Sequence, residues 1–461
     1  MKAPWSNGEW HRVLVYGLGV SGRAALRFLR RRGVAVLAVD DRDPALLEPP
    51  VAADDSGVRV ARAGDVARLP ADVDGVVVSP GVPPDRPLLL AARARALPVI
   101  GEVELAFPFL AGPVVAITGS NGKSTTTALT GRMLAAAGRG AVVCGNIGRP
   151  LVDCVDDGGE MFVAELSSYQ LESVDTFRPR AAALLNLSPD HLDRHGTLAA
   201  YVAAKARIFE NQRAGDVAVF NADDPLVTEV AARTERPRRR FFSRRAAVAD
   251  GCFVESGVVV EVAPGEEARS LFSPRDVPVP GAHNLENAMA SALLARAMGA
   301  RAEHLAAGLA AFEGLPHRVQ KVLERGGTAW FDDSKGTNVG ATSRSLEGFA
   351  DGSVHLILGG RGKGADLGVL RDVVRRKARR LYLIGESAPD FARALGGVVE
   401  AETAGSLDRA VAAAARRAAA GEVVLLSPAC SSFDQYDNYM RRGEHFQRLV
   451  RELAGTEAAD G

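Results

Sequence analysis

Lysine is scarce in this chain. Lys and Arg together number 56 in 461 residues, yet only seven are lysines: Lys2, Lys123, Lys205, Lys321, Lys335, Lys363 and Lys377. Arg serves wherever a surface cation suffices, whereas Lys is a compact charge that can be deprotonated, so a lysine kept in such a chain suits chemistry. Four of the seven fall inside the motifs below. Net charge is also missing: the 56 basic residues are matched by 56 acidic ones. A balanced chain has no general attraction to nucleic acid or an anionic membrane, so neither is expected as a partner, and anionic ligands must be held by local sites. The four cysteines (Cys144, Cys154, Cys252, Cys430) form no Cys-x-x-Cys pair and no metal-ligand spacing. That excludes a disulfide framework and a zinc cluster and reads as reduced thiols. No apolar run is long enough to span a bilayer, and no charged-then-apolar leader opens the chain, so a cytoplasmic location is expected. Repeats and low-complexity tracts are missing as well.

What is there is a long, ordinary globular composition, 47% hydrophobic and 24% charged. A chain of this length exceeds one core and predicts about three domains. Short apolar strands alternate with helices from end to end, which is the pattern of parallel sheets flanked by helices and places the chain in the α/β class. Strands are expected at 12–16, 34–39 and 75–79, then at 114–118, 161–166, 181–187 and 217–221, and again at 329–333, 354–359, 380–384 and 422–427. A Pro- and Gly-containing stretch at 107–113 reads as a linker, and a second break falls near Gly314-Leu-Pro316. The expected domains are therefore 1–112 (Rossmann-like), 113–314 (phosphate-loop NTPase-like) and 315–461 (Rossmann-like). Residues 252–262 predict a β-hairpin turning at Ser256-Gly257, 286–298 an amphipathic helix, and the tail after Leu453 is expected to fray.

The strongest local signal is Thr118-Gly-Ser-Asn-Gly-Lys-Ser-Thr125, which follows a strand and opens a helix. Glycines let the backbone approach a phosphate, and amide N–H groups with the helix dipole favour its charge. Gly119, Ser120, Asn121 and Gly122 would cradle the phosphates, Lys123 would reach the terminal ones, and a hydroxyl of Ser124 or Thr125 would ligate Mg²⁺. The loop is a short variant, because Thr118 stands where the usual pattern has its first glycine. Gly17-Leu-Gly-Val-Ser-Gly22 follows the first strand, with Asp40 ending the second, which is the dinucleotide-type fingerprint. Ser79-Pro-Gly81 would face the same crevice.

Glu165 closes another parallel strand, where ligands of open α/β sheets gather, and suits a Mg²⁺ ligand. His191, in Asp190-His-Leu-Asp193, sits at the same rim. Lys205, in Ala203-Ala-Lys-Ala206, would by default be a solvated helix lysine. In the third domain three polar loops follow strands: Asp332-Asp-Ser-Lys-Gly-Thr-Asn338, Gly359-Gly-Arg-Gly-Lys-Gly364 and Ser427-Pro-Ala-Cys-Ser-Ser-Phe-Asp-Gln435. Together they predict a second half-site. A nicotinamide-dependent oxidoreductase would explain Gly17–Gly22 with Asp40 but leaves the Lys123 loop without purpose. A non-catalytic nucleotide-binding module would leave the third domain's loops without one.

These motifs, in this order and over nearly the whole chain apart from about 236–275 and the two ends, resemble the Mur ligase family of peptidoglycan synthesis. The 333–338 and 427–435 loops look specific to members that add D-glutamate. The resemblance implies an ATP-dependent amide ligase, a monomer acting on small molecules: UDP-MurNAc-L-Ala, D-glutamate and ATP. The alanyl carboxylate would be phosphorylated and the amine of D-glutamate would attack the acyl phosphate. A sister ligase using L-glutamate or another amino acid stays open. By the same resemblance, Val20, Ser21, Asp40, Arg42, Ser79, Gly81 and Asn146 would hold the uridine-nucleotide substrate. Asn284, Asn287, Arg318 and Asp333 would join the phosphate loop on ATP. Thr337, Lys363, Ser432, Phe433 and Tyr439 would bind glutamate. Two Mg²⁺ ions are implied, on Ser124, Glu165, His191 and a Lys205 converted to a carbamate. Lys123, His191, Lys205, Asp333 and Lys335 would be the catalytic set. Asp41, where Thr is common, and Phe433, where Leu is common, depart from the family pattern.

Overall fold

The computed structural model describes residues 10–47, 57–279, 281–362 and 364–455. It contains three sheets, each mainly parallel. The first joins β1 (Arg12–Tyr16), β2 (Ala35–Asp40), β3 (Val58–Arg62), β4 (Gly75–Val78) and β5 (Val99–Ile100) in the order β3-β2-β1-β4-β5. The second takes in β6 (Val114–Thr118), β7 (Ala141–Gly145), β8 (Met161–Glu165), β9 (Ala181–Leu184), β10 (Val217–Asn221), β11 (Arg238–Ser243), β12 (Gly251–Glu255), β13 (Val258–Val262) and β14 (Arg269–Phe272). Its order is β14-β13-β12-β11-β10-β9-β6-β8-β7, with only the last pairs, β12–β13 and β13–β14, antiparallel. The third contains β15 (Gln320–Arg325), β16 (Thr328–Asp332), β17 (Val354–Gly359), β18 (Ala378–Ile384), β19 (Ala401–Gly405) and β20 (Val423–Leu426), in the order β15-β16-β20-β17-β18-β19.

Each sheet has a point where the strand order switches direction, and loops after the strands there face one crevice. In the first sheet that point lies between β1 and β4, the strands carrying the Gly17–Gly22 loop and Ser79. In the second it is β6, flanked by β8 and β9, which places the phosphate loop, Glu165 and Asn186 together. In the third it is β20, flanked by β16 and β17, so the three polar loops emerge side by side. Strands β6, β8 and β9 are buried on both faces, as helix-covered parallel strands must be.

By contacts the chain forms two compact units, residues 1–276 with 286–311, and 277–285 with 312–461. The first unit holds two sheets, and the expected linker between them is tightly fastened. Glu104 is fully buried and accepts from the backbone N–H groups of Asp175, Thr176 and Phe177 at 2.8–3.0 Å. Phe107 packs edge-on to Phe177 and Phe109 to Phe28. Glu102 is also buried, and that burial pushes its carboxyl up to about 7.

The hairpin forms as expected, with Ser256 and Gly257 both at positive φ (48° and 77°) between β12 and β13, the geometry that matches strand twist. The expected amphipathic helix instead runs Ala282–Ala297, and Ala288–Ala295 are buried without interruption. A helix enclosed on all sides needs no polar face. The last helix, Tyr439–Gly455, extends past Leu453; the rest of the expected frayed tail lies outside the described residues. The four cysteines are buried and none is in a disulfide, and no helix among the described residues is long and apolar enough to cross a membrane.

Candidate active site

The phosphate loop owes its shape to two glycines and one asparagine. Gly122 has φ +85°, and a Cβ there would lie 2.3 Å from Oδ1 of Asn287; no other residue type fits both demands. Gly119 (φ +154°) passes close to Leu185. Asn186, at the end of β9, then holds the loop three ways. Its carbonyl accepts from Ser120 N (2.9 Å), its Oδ1 from Asn121 N (2.8 Å), and its Nδ2 donates to Asn121 O (3.0 Å). Ser120 Oγ lies 3.0 Å from the hydroxyl of buried Tyr201. Neither Asn186 nor Tyr201 stood out in the sequence. Lys123, opening the helix Lys123–Ala136, donates to Gly119 O (2.9 Å) and Ser120 O (3.0 Å), so its ammonium curls over the loop. Ser124 is buried beside it.

Lys205 is not a solvated lysine. It is 2% exposed, on the helix Leu198–Ala206, and its Nζ donates to Gly119 O (2.9 Å) and Thr118 Oγ1 (3.4 Å). Burial, then the charge of Lys123, pushes its ammonium well below the ordinary lysine range, against the opposing pull of Asp190 and Glu165. Removal from water disfavours the charged form, so this amine is poised to be neutral. Glu165, 1% exposed at the end of β8, accepts from Asn146 Nδ2 at 2.7 Å, and Asn146 N donates to the Glu165 carbonyl at 2.8 Å. Asn146 and Glu165 therefore share one corner of the site.

His191 occupies the left-handed region (φ 53°) where the chain turns into Leu192–His195. Its Nδ1 is 2.9 Å from the Tyr169 hydroxyl, the arrangement in which Nε2 is the nitrogen that would serve a metal. Burial, then Asp193 and Asp190, pushes Tyr169 up to about 12, so the phenol stays neutral and its oxygen can accept from His191 Nδ1–H. Among the described residues no three His, Cys, Asp or Glu side chains cluster as a self-sufficient metal cage. A hydroxyl, a carboxylate and an imidazole along one sheet edge fit Mg²⁺, which keeps waters and takes substrate phosphates as ligands.

In the first sheet, Ser79 Oγ donates to Gly17 O (2.6 Å), and a Cβ on Gly22 would lie 1.8 Å from that carbonyl. Asp40 accepts from Leu18 N (2.7 Å), Arg42 N (3.0 Å) and Arg42 Nε (3.1 Å). Burial would raise its carboxyl, but these bonds outweigh it and hold the group below the ordinary range. Val20 is 72% exposed at the helix N-terminus, beside Ser21. The departure at Asp41 has local partners: the Tyr16 hydroxyl donates to it (2.6 Å) and Arg86 pairs with it (2.7 Å). Both line a cavity of about 670 Å³ with Arg62 and Leu88. Gly81 is exposed nearby.

Asn287, expected at adenine, has its carboxamide against Gly122 and 3.4 Å from Thr126 Oγ1. Asn284, one turn earlier, is also buried.

In the second unit, Asp333 is buried and accepts from the hydroxyls of Ser345 and Ser427, each at 2.7 Å. Burial pushes its carboxyl up to about 6, against the pull of those hydroxyls and of Arg318. Arg318 lies between His317 and Val319, both at positive φ (61° and 45°), a costly conformation for β-branched valine. Lys335 donates to the Tyr439 hydroxyl (3.1 Å), with its Nζ 4.8 Å from the ring centre. The neighbouring Asp332 is fully buried and accepts from Gln447 Nε2 (2.8 Å), with His317 Nδ1 at 2.7 Å; it holds the strand end together. Thr337 follows Lys335 in the same turn. Ser432 is buried, whereas Phe433 is 62% exposed. Lys363 lies outside the described residues.

Known proteins carry the same organisation. A model of the Mur ligase MurD-like N-terminal domain matches residues 11–101, the Mur ligase middle domain 117–295, and the Mur ligase glutamate ligase domain 317–430. UDP-N-acetylmuramoylalanine–D-glutamate ligase of Geotalea uraniireducens is 46% identical over 447 residues, 96% of this chain and 97% of that one. The same-named enzyme of Myxococcus xanthus is 45% identical over 451 residues, covering 96% and 98%. Among solved structures, MurF ligase from Thermotoga maritima in complex with ADP superposes with a TM-score of 0.61 at 18% identity, covering 98% of this chain and 100% of that one. This last likeness is one of fold.

Proposed function

This chain belongs to the Mur ligase family, and from that premise we propose that it joins D-glutamate to UDP-N-acetylmuramoyl-L-alanine, driven by ATP, in the cytoplasmic synthesis of peptidoglycan precursors. The observation that carries this reading is the convergence of Lys123 and Lys205 on the carbonyl of Gly119, with Glu165 on the adjacent strand. It occurs in a chain 41–46% identical, over nearly its full length, to ligases of that one name. The domains are 1–112 for the uridine nucleotide, 113–314 for ATP and 315–461 for the amino acid, in keeping with the three sheets and the matched spans.

The alanyl carboxylate attacks the terminal phosphorus of ATP, ADP leaves, and an acyl phosphate forms. The amine of D-glutamate then attacks the acyl carbon, phosphate leaves from the tetrahedral intermediate, and the amine's protons pass to solvent. No side-chain nucleophile is needed, and rate comes from positioning and from charge held on the phosphoryl oxygens. The amides of residues 119–122 and the ammonium of Lys123 supply that charge. Ser124, Glu165, His191 and a carbamate on Lys205 would hold Mg²⁺, whose chemistry is to neutralise phosphoryl oxygens. Carbamate formation needs a neutral amine, which adds CO₂ and releases one proton, and the burial of Lys205 favours that form. Val20, Ser21, Asp40, Arg42, Ser79, Gly81 and Asn146 receive the uridine nucleotide. Arg318, Asp333 and Lys335 act on ATP with Asn284 and Asn287, while Thr337, Lys363, Ser432, Phe433 and Tyr439 receive glutamate.

The test is phosphate release from Mg-ATP and UDP-MurNAc-L-Ala with a panel of amino acids. Release that depends on D-glutamate is expected. Release with L-glutamate, with another amino acid, or with none overturns the assignment.

A further inference from the structure

Arg442 is the largest side chain buried to within 2% of full enclosure, at 1% exposed, while its neighbour Arg441 lies on the surface. It projects from the helix Tyr439–Gly455, and its fork spans two loops. Nε donates to Ser334 Oγ (3.0 Å) and Nη2 to Ser334 O (2.9 Å). Nη2 also reaches Cys430 O (3.1 Å), and Nη1 reaches Ser431 O (3.3 Å). These bonds all end on neutral oxygens. Ser334 Oγ in turn donates to Tyr439 O (2.8 Å) at the start of the same helix. A third loop presses in as well: a Cβ on Gly360 would stand 2.3 Å from Ser431 O and 3.1 Å from Arg442 Nη1.

The placement is specific. Ser334 sits between Asp333 and Lys335, and Ser431 immediately precedes Ser432. A buried guanidinium is hard to desolvate, and an apolar side chain would anchor a helix at least as well. What a planar fork adds is fixed geometry between several acceptors, which a lysine's single ammonium does not reproduce. Burial pushes the guanidinium down to about 10, so it remains a cation at neutral pH.

We propose that Arg442 is a positioning residue: it ties the Asp333–Lys335 turn to the Cys430–Ser432 loop and thereby sets the spacing between the ATP-facing and glutamate-facing groups. The proposal rests on the functional reading above for the identity of those ligands. It does not rest on that reading for the coupling of the two loops.

The full-length chain and its R442K and R442M variants are compared by two measurements. The first is hydrogen exchange without substrate. Faster exchange is expected in 332–338 and 428–433 together, with the 119–125 loop unchanged. The second is steady-state phosphate release. In R442K the KM for D-glutamate and for ATP should each rise about tenfold or more, the loss expected when charge-assisted bonds are removed from a buried site. The KM for UDP-MurNAc-L-Ala should stay within about twofold, since that substrate is not held by these loops. Should R442M fail to fold, R442K, which keeps charge and length, decides the matter. Unchanged exchange in either loop, an unchanged KM for D-glutamate, or a parallel rise in all three KM values overturns the proposal. A merely structural role would lower the active fraction and leave the KM values alone. A wild-type chain with no D-glutamate-dependent release would refute the functional reading instead, and the exchange result would still judge the coupling.

Discussion

Replacing Asp333 by asparagine should stabilise the second unit at alkaline pH and impair the enzyme. Asp333 is buried at the end of β16, and its carboxyl is raised from 3.8 to about 6, chiefly by burial. At about 1.4 kcal/mol per pKa unit, that difference corresponds to about 3 kcal/mol. The sign follows from proton binding. With the folded value above the unfolded one, the folded state holds more protons between 3.8 and about 6. Stability therefore falls as pH rises through that window, and the whole penalty is present above it. Asparagine is nearly isosteric and neutral at every pH, and its carbonyl can still accept from Ser345 and Ser427. Its amide hydrogens need new acceptors, which offsets about 1–2 kcal/mol of the gain. The expected net is a stabilisation of about 1–2 kcal/mol near pH 8 that turns into a destabilisation of about 1 kcal/mol near pH 4, where the amide cost remains and the ionisation penalty is mostly gone. Urea unfolding of the full chain, read by hydrogen exchange in the Thr328–Asp332 strand, scores this unit separately from the other. Phosphate release on the same samples should drop at least about tenfold, as expected when a transition-state contact is lost. A variant less stable at pH 8, or a stability difference that does not change with pH, would refute the reasoning.

Two further substitutions probe the first unit. Lys205→Arg keeps a long basic side chain but cannot form a carbamate, so activity should fall by about 100-fold or more. Wild-type protein in ¹³C-bicarbonate should show a carbamate carbon by NMR that the variant lacks, and an active variant or a silent wild type would count against the carbamate. Lys123→Ala removes the cation over the loop, and phosphate release should fall by about 100-fold or more, while thermal unfolding changes little because its bonds to Gly119 O and Ser120 O are part-buried. Near-normal turnover would remove Lys123 from the phosphate site.

Much of this architecture is legible from local pattern. The apolar strands at the switch points, the phosphate loop and the hairpin at Ser256-Gly257 all announce themselves within about ten residues. Edge strands do not. β3 (Val58–Arg62) and β15 (Gln320–Arg325) are half polar because one side meets solvent, and their pairing depends on distant neighbours. The same limit governs the site. Lys205 reads as a surface lysine because only the packing of its helix beneath the loop desolvates it. Asn186 and Tyr201 hold the phosphate loop from 65 and 81 residues away. Asp41 looks like an isolated departure until the fold delivers Tyr16 and Arg86 to it. Arg442 sits in Met440-Arg-Arg-Gly-Glu444, a run that looks wholly solvated, and one helical face makes the difference. Roles that came through resemblance, such as Asn287 at adenine, still need the structure, which sets that carboxamide against Gly122.

The central claim is that the terminal phosphoryl group of ATP is passed to the alanyl carboxylate. UDP-MurNAc-L-Ala labelled with ¹⁸O in that carboxylate, incubated with the chain, Mg-ATP and D-glutamate, should deliver one labelled oxygen to each phosphate released. Phosphate that emerges without label would mean that the carboxylate never became an acyl phosphate.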